Sequence, residues 1–431
     1  MKLKSNQSLE RSSRMHDRSD NSLACGSRIE SRLQLLEQFS AEKGALARFP
    51  LSPELAAANE LVRDWMQDAG MTVWQDAGAN IIGRYEGHRP SLPALVLGSH
   101  LDTVRDAGRY DGMLGVVAAI ECVDQLNRQG DRFPFAIEVI GFCDEEGVRF
   151  GTSIVGSRVV AGSFDAAELL RADENGVLAL QALTASGLDA DRMQTAVRRP
   201  DEILAYVELH IEQGPVLERL GHGLGCVSGI VGASKLEIVL RGEAGHAGTV
   251  PMQGRRDALV AASECILGIE AIAAKTGAVA TVGYVDVEPG SSNVIPGKTS
   301  FAVDIRSLDD EVRRNTVVLI RECVAEICAH RKVEPEFTLA QRQTTPCSEW
   351  LQNQIVEAID RVQGACPVLP SGAGHDGIWM SKVSDIGMIF VRCAGGISHN
   401  PAESVSVEDL EGCAQALLQF IANFEPPGKA A

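Results

Sequence analysis

The first clear periodicity begins at Ile29: apolar residues recur at helical spacing through residues 29–39 and again through 53–68, where Gly70 stops the run. Shorter apolar runs at 71–75, 80–85, 94–98 and 135–142 predict strands, and residues 113–128, between the last two, are apolar enough for a buried helix. Strands alternating with helices predict an α/β layer.

A second rhythm occupies residues 229–339. It runs strand 235–241, helix 255–275, strands 279–287 and 299–305, helix 309–330, strand 334–339. This β-α-β-β-α-β order predicts a four-stranded antiparallel sheet with two helices on one face, a domain of its own. Helices expected at 348–363 and 407–424 flank the apolar run 386–391 and return the chain to the first layer. The expected division is therefore a large domain of residues 29–228 and 340–431, with 229–339 inserted into it. Residues 1–28, rich in Ser, Arg, Asn and Asp, lack the apolar run and cleavage site of a secretory signal and read as a disordered tail.

Composition narrows the function. A length of 431 residues exceeds one ordinary core and agrees with two domains. With 45% hydrophobic and 23% charged residues, and no apolar run of about 18, the chain reads as soluble, without a membrane span. A formal charge of −18 repels phosphate backbones and anionic bilayers, which excludes nucleic acid and membrane as partners and leaves a small molecule. Eleven scattered cysteines, without a C-x-x-C pair, suit reduced thiols in the cytoplasm.

The chain has nine histidines, and His100, His210, His246, His375 and His399 lie in Gly- or acid-rich segments at expected strand ends. His100 and Asp102 stand in Leu97-Gly98-Ser99-His100-Leu101-Asp102; at a sheet's carboxyl edge the imidazole faces a ligand crevice, and a carboxylate two residues on can hold its tautomer. A His-x-Asp pair serves equally as a structural hydrogen bond. Asp111 precedes a Gly-rich turn into a helix, where capping is the common role. Asp144-Glu145-Glu146 closes an apolar strand, and three adjacent carboxylates need either cations or a solvated turn. His210 (Glu208-Leu209-His210-Ile211-Glu212-Gln213-Gly214-Pro215) and His399 (Ile397-Ser398-His399-Asn400-Pro401-Ala402-Glu403) complete a mixed set. His100, Asp111, Glu146, His210 and His399 suit two borderline divalent ions, leaving Glu145 free as a base.

These segments, in this order and over residues 29–424, resemble the M20 family of metallopeptidases and amidohydrolases, in its allantoate amidohydrolase and N-carbamoyl-L-amino-acid hydrolase branch. The branch resemblance rests on the His210 and His399 segments, on Gly242-Glu243-Ala244-Gly245-His246-Ala247-Gly248-Thr249 and on Ser371-Gly372-Ala373-Gly374-His375-Asp376. It implies a zinc-peptidase-like α/β catalytic domain with an inserted ferredoxin-like lid and dimerisation domain, and a homodimer. It implies two zinc or manganese ions, with cobalt acceptable, on His100, Glu146 or His210, and His399, bridged by Asp111. Glu145 is then the general base and Asp102 orients His100. The implied substrate-side residues are His246, as an oxyanion donor carried across the dimer, Asn293, Arg306 as a carboxylate clamp, Gln213, Gly374 and His375. The implied reaction is hydrolysis of a ureido or carbamoyl C–N bond of a small carboxylate. Allantoate comes first, with an N-carbamoyl-L-amino acid or 3-ureidopropionate as the alternative. A metal-binding protein without turnover is the distant alternative, disfavoured by the intact ligand set.

Overall fold

The computed structural model describes residues 25–427. In chain order its main elements are α1 (Cys25–Leu36), α2 (Pro53–Asp68), β1 (Thr72–Gln75), β2 (Ile81–Tyr85), β3 (Ala94–His100), α3 (Met113–Gln129), β4 (Ala136–Phe142), β5 (Ile203–Ile211) and β6 (Leu224–Ile230). There follow β7 (Gly232–Arg241), α4 (Ala258–Thr276), β8 (Val279–Glu288), β9 (Lys298–Ser307), α5 (Asp310–Arg331) and β10 (Glu334–Arg342). The last are α6 (Glu349–Gln363), β11 (Ile386–Val391) and α7 (Val407–Ala422).

Two compact units result. Among the described residues, the larger holds 25–228, 347–369 and 375–427; the smaller holds 229–346 and 370–374. The larger unit is built on a sheet with strand order β1-β2-β4-β3-β5-β11-β6, whose central strands β4, β3, β5 and β11 are parallel. Such strands are covered on both faces and need apolar residues throughout; β3 and β4 are buried at every position. Helix α3 crosses the sheet with most of its length buried. A side chain at Gly115 would put its Cβ 2.2 Å from the Leu209 carbonyl oxygen, so helix and strand approach closely only because this residue is glycine. The register sets His100 opposite Phe142 and His210 opposite Phe390, at the carboxyl ends of parallel strands.

In the smaller unit the strand order is β10-β7-β9-β8, all antiparallel. Leu236, Ile238 and Leu240 of β7 and Phe301, Val303 and Ile305 of β9 pack on Ala262, Cys265 and Ile269 of α4 and Val317, Ile320 and Val324 of α5. Strand β8 is exposed or half-buried along its length, as befits an edge strand of a sheet with one covered face.

Two expected boundaries are corrected. The expected tail spans 1–28, but α1 begins at Cys25, with Arg28 buried against Glu121 of α3; the rest of that segment lies outside the described residues. The expected insertion ends at 339, whereas β10 stays paired with β7 to Arg342 and the unit runs to 346, with 370–374 added. A short-range pattern cannot register that late addition, because it is made by contacts distant in sequence.

Candidate metal centre

At the end of β3, His100 is 2% exposed, and its Nδ1 lies 3.0 Å from the carbonyl oxygen of Asp102. His210, next to last in β5, has Nδ1 2.9 Å from the Ile211 carbonyl oxygen. A carbonyl only accepts, so Nδ1 of each ring carries a hydrogen, and Nε2 is the nitrogen left to face Asp111, as a hydrogen-bond donor when protonated and as a ligand when not. Both Nε2 atoms face Asp111: His210 Nε2 is 3.1 Å and His100 Nε2 3.6 Å from its Oδ1. The other oxygen, Oδ2, lies 3.1 Å from Nε2 of His399, which is also 3.5 Å from Glu146 Oε1.

Asp111 is free for this because it caps nothing: α3 is preceded by Gly112, without a side-chain cap. Gly112 has φ +71°, and a Cβ there would stand 2.4 Å from the His100 ring. The turn therefore demands glycine twice, for conformation and for space. Asp144, Gln213 and His399 also hold positive φ, of 61°, 57° and 54°, which costs energy in non-glycine residues and recurs at functional sites.

Three groups of donor atoms lie within 4.8 Å of one another: His100, Asp111 and His210; Asp111, Glu146 and His399; and His100, Glu145 and Glu146. All five expected ligands and the expected base are thus brought together. Burial pushes the Glu145 carboxyl well above its usual range; His100 opposes this, while Glu146, Asp376 and Asp102 add to it. Burial likewise pushes Glu146 up to about 7. Burial alone would raise Asp111 too, but the three imidazoles hold it well below the carboxylate range. So many acids close together require compensating positive charge, and imidazole nitrogens beside carboxylate oxygens are donors that suit divalent cations.

Asp102 does otherwise than expected. Its carboxylate is 3.9 Å from His100 Nδ1 and instead accepts the backbone N–H groups of Glu145 and Glu146, both at 3.1 Å. The ring is oriented by the carbonyl of Asp102, while the side chain holds the turn that presents the two glutamates. Gln213, expected on substrate, donates from Nε2 to Asp111 Oδ2 at 2.9 Å. The His375 ring meets that of His210 edge-on, with centroids 4.5 Å apart.

The remaining substrate-side candidates belong to the smaller unit. His246 pairs with Val294 in a two-residue ladder, and Ala247 N–H donates to the Asn293 carbonyl, so His246 and Asn293 are neighbours. His246 is exposed, and its Nδ1 accepts from Gly248 N–H at 3.1 Å. Arg306 is engaged already: Nε and Nη2 grip Asp304 at 2.9 and 2.8 Å, and Nη1 donates to the Gly372 carbonyl at 2.5 Å. Gly374 lies in the segment counted with this unit.

Some site residues carried no role in the sequence. Glu208 accepts from Ser99 Oγ and Gly377 N–H, and Asp376 accepts from Ser157 Oγ at 2.6 Å. Glu208 precedes His210 by two and so shares its side of the strand, a signal that was available. Nothing local marks Ser157 as the partner of a residue 219 positions away.

A family model described as Peptidase family M20/M25/M40 matches residues 96–423. The chain belongs to the M20 family. Among M20-type relatives, a probable allantoate deiminase of Oryza sativa subsp. japonica is 40% identical over 427 residues, covering 90% of this chain and 87% of the relative. An N-carbamoyl-L-amino-acid amidohydrolase of Pseudomonas sp. (strain NS671) is 39% identical over 394 residues, 90% of this chain and 95% of the relative. Among solved structures, a hydantoinase/carbamoylase family amidase from Burkholderia multivorans superposes with TM-score 0.85 at 33% identity, covering 92% of this chain and 97% of that one. Among the described residues, no helix of this M20 chain is long and apolar enough to cross a membrane.

Proposed function

We propose that this M20 enzyme is a two-metal amidohydrolase that cleaves the ureido C–N bond of allantoate. One observation carries the reading: the two oxygens of Asp111 face different imidazoles, Oδ1 toward His100 and His210 and Oδ2 toward His399 with Glu146 beside it. That arrangement suits one ion held by His100 and His210, a second held by Glu146 and His399, and Asp111 between them. Zinc, manganese and cobalt all accept such donors.

When bound, the ions polarise the scissile carbonyl and acidify the attacking water. The protein's own groups do the rest. Glu145 takes the proton of the attacking water and returns it to the departing nitrogen. The C–N bond breaks, nitrogen leaves as ammonia, and the carbamate left behind loses carbon dioxide. Asp102 fixes Glu145 through the turn it caps. His246 is suited to donate to the developing oxyanion: with Nδ1 accepting from Gly248 N–H, the hydrogen of the neutral ring sits on Nε2. Arg306, aligned by Asp304, is the clamp for the substrate carboxylate, with Asn293, Gln213, Gly374 and His375 at the same substrate.

The β10-β7-β9-β8 order supports reading the smaller unit as a ferredoxin-like lid and dimerisation domain, 229–339 at its centre, donating His246 to the partner in a homodimer. Eleven free cysteines support a cytoplasmic setting.

A second reading, hydrolysis of N-carbamoyl-L-amino acids, is supported by the near-equal identity to that relative, 39% against 40%. Ammonia release by the manganese-loaded protein separates the two. The account expects faster release from allantoate than from any N-carbamoyl-L-amino acid or 3-ureidopropionate. The reverse order selects the second reading, and no release from any of them overturns both.

A further inference from the structure

Glu403 is 4% exposed and lies 292 residues from the turn it serves. Its Oε1 accepts the backbone N–H groups of Tyr110 and Asp111, at 2.9 and 3.1 Å. Gly108 packs so closely that a Cβ there would come within 2.3 Å of this carboxylate. The other oxygen, Oε2, is 3.1 Å from Ser398 Oγ, which is also 3.1 Å from Asp111 Oδ2. Ser398 therefore stands midway between two carboxylates with a single hydrogen to give.

Gln213 decides the direction. Its Nε2 donates one hydrogen to Asp111 Oδ2 at 2.9 Å and reaches Ser398 Oγ with the other at 3.2 Å. The Ser398 oxygen then accepts from Gln213, and its own hydrogen is free to point at Glu403. Asp111 Oδ2 has about two lone-pair sites. With Gln213 on one, a second hydrogen from Ser398 would fill the site a cation needs.

We infer that Glu403 is a positioning residue of the metal centre: it holds the Asp111 backbone and draws the Ser398 hydrogen away from Asp111, leaving Oδ2 open to a cation. This rests on Asp111 being a metal ligand. It makes a sharp statement about Glu403→Gln. The two backbone donors keep an oxygen at the Oε1 position, so the new amide nitrogen takes the place of Oε2 and donates to Ser398. The serine hydrogen is thereby forced onto Asp111.

The test is calorimetric titration of Mn2+ into the full chain stripped with a chelator, read beside the metal-free melting temperature. Glu403→Gln should bind Mn2+ about 10- to 100-fold more weakly, with its metal-free melting temperature within about 3 °C of wild type. Adding Ser398→Ala should recover at least about tenfold of that loss by removing the misdirected hydrogen. A residue that merely braced the loop would show no such recovery. Wild-type affinity in Glu403→Gln, or a loss that Ser398→Ala leaves untouched, overturns the inference. Asp111→Ala serves as the control: if it keeps both ions, the metal-centre reading itself falls.

Discussion

His210 and His246 are both histidines at the ends of β-strands, and they live under opposite conditions. His210 is 1% exposed, gives its Nδ1 hydrogen to a carbonyl and turns Nε2 toward Asp111. His246 is exposed, accepts at Nδ1 from Gly248 N–H and carries its hydrogen on Nε2. On the proposed reading, the backbone contact at Nδ1 suits one ring to be a ligand and the other to be a donor. The contrast extends to the two units. In the larger, parallel strand ends and a glycine turn bury His100, Asp111 and His210, with Glu146 half-buried and His399 exposed at the rim of the set. In the smaller, His246 and Asn293 are exposed and held by short local contacts, while Arg306 is half-buried between Asp304 and the Gly372 carbonyl.

The sharpest way to break this comparison is to remove Asp111, on which both halves of the buried set converge. Asp111→Ala should lose both ions by elemental analysis and bring activity to background; retention of both ions would show that the cluster is held by something else. Next in size is Glu145→Gln. It should keep its metal yet slow turnover by at least about a hundredfold, the scale of general base catalysis, and an unchanged rate removes Glu145 from the mechanism.

On the exposed side, His246→Ala should cost about a hundredfold in kcat as a lost oxyanion donor while leaving metal content intact. Mixing it with Glu145→Gln and allowing subunits to exchange should restore activity, because one site of the mixed dimer regains both groups. A mixed dimer that forms and stays inactive confines His246 to its own chain. The smallest effect is expected at Arg306→Met: KM should rise by roughly tenfold to a hundredfold, for the loss of charged hydrogen bonds worth about 1.5–3 kcal/mol, with kcat little changed. A fall in kcat at constant KM would move Arg306 out of substrate binding.

The same division governs what could be read before the structure. Residues 386–391 and 53–68 are legible because their apolar patterns are long or closed by turn residues, and the βαββαβ rhythm stood out because each element has its own period. The donor set was legible residue by residue, since His and carboxylates at strand ends announce themselves. How they pair was not. Asp102 carries the expected residue type but spends its carboxylate on the Glu145–Glu146 backbone, a choice set by the curl of a turn after β4. Glu403 and Ser398 sit inside a segment that stood out for His399, yet their work depends on Asp111, nearly three hundred positions away. Arg28 reads as part of a polar tail in the sequence, and its buried partner Glu121 stands 93 positions away.

The central claim is a pair of ions shared by Asp111, and anomalous diffraction from crystals of the manganese-loaded protein tests it most directly. The account predicts two anomalous peaks flanking the Asp111 carboxylate, one touching Nε2 of His100 and His210, the other touching Glu146 and Nε2 of His399. A single peak, or two peaks that Asp111 does not join, would contradict it.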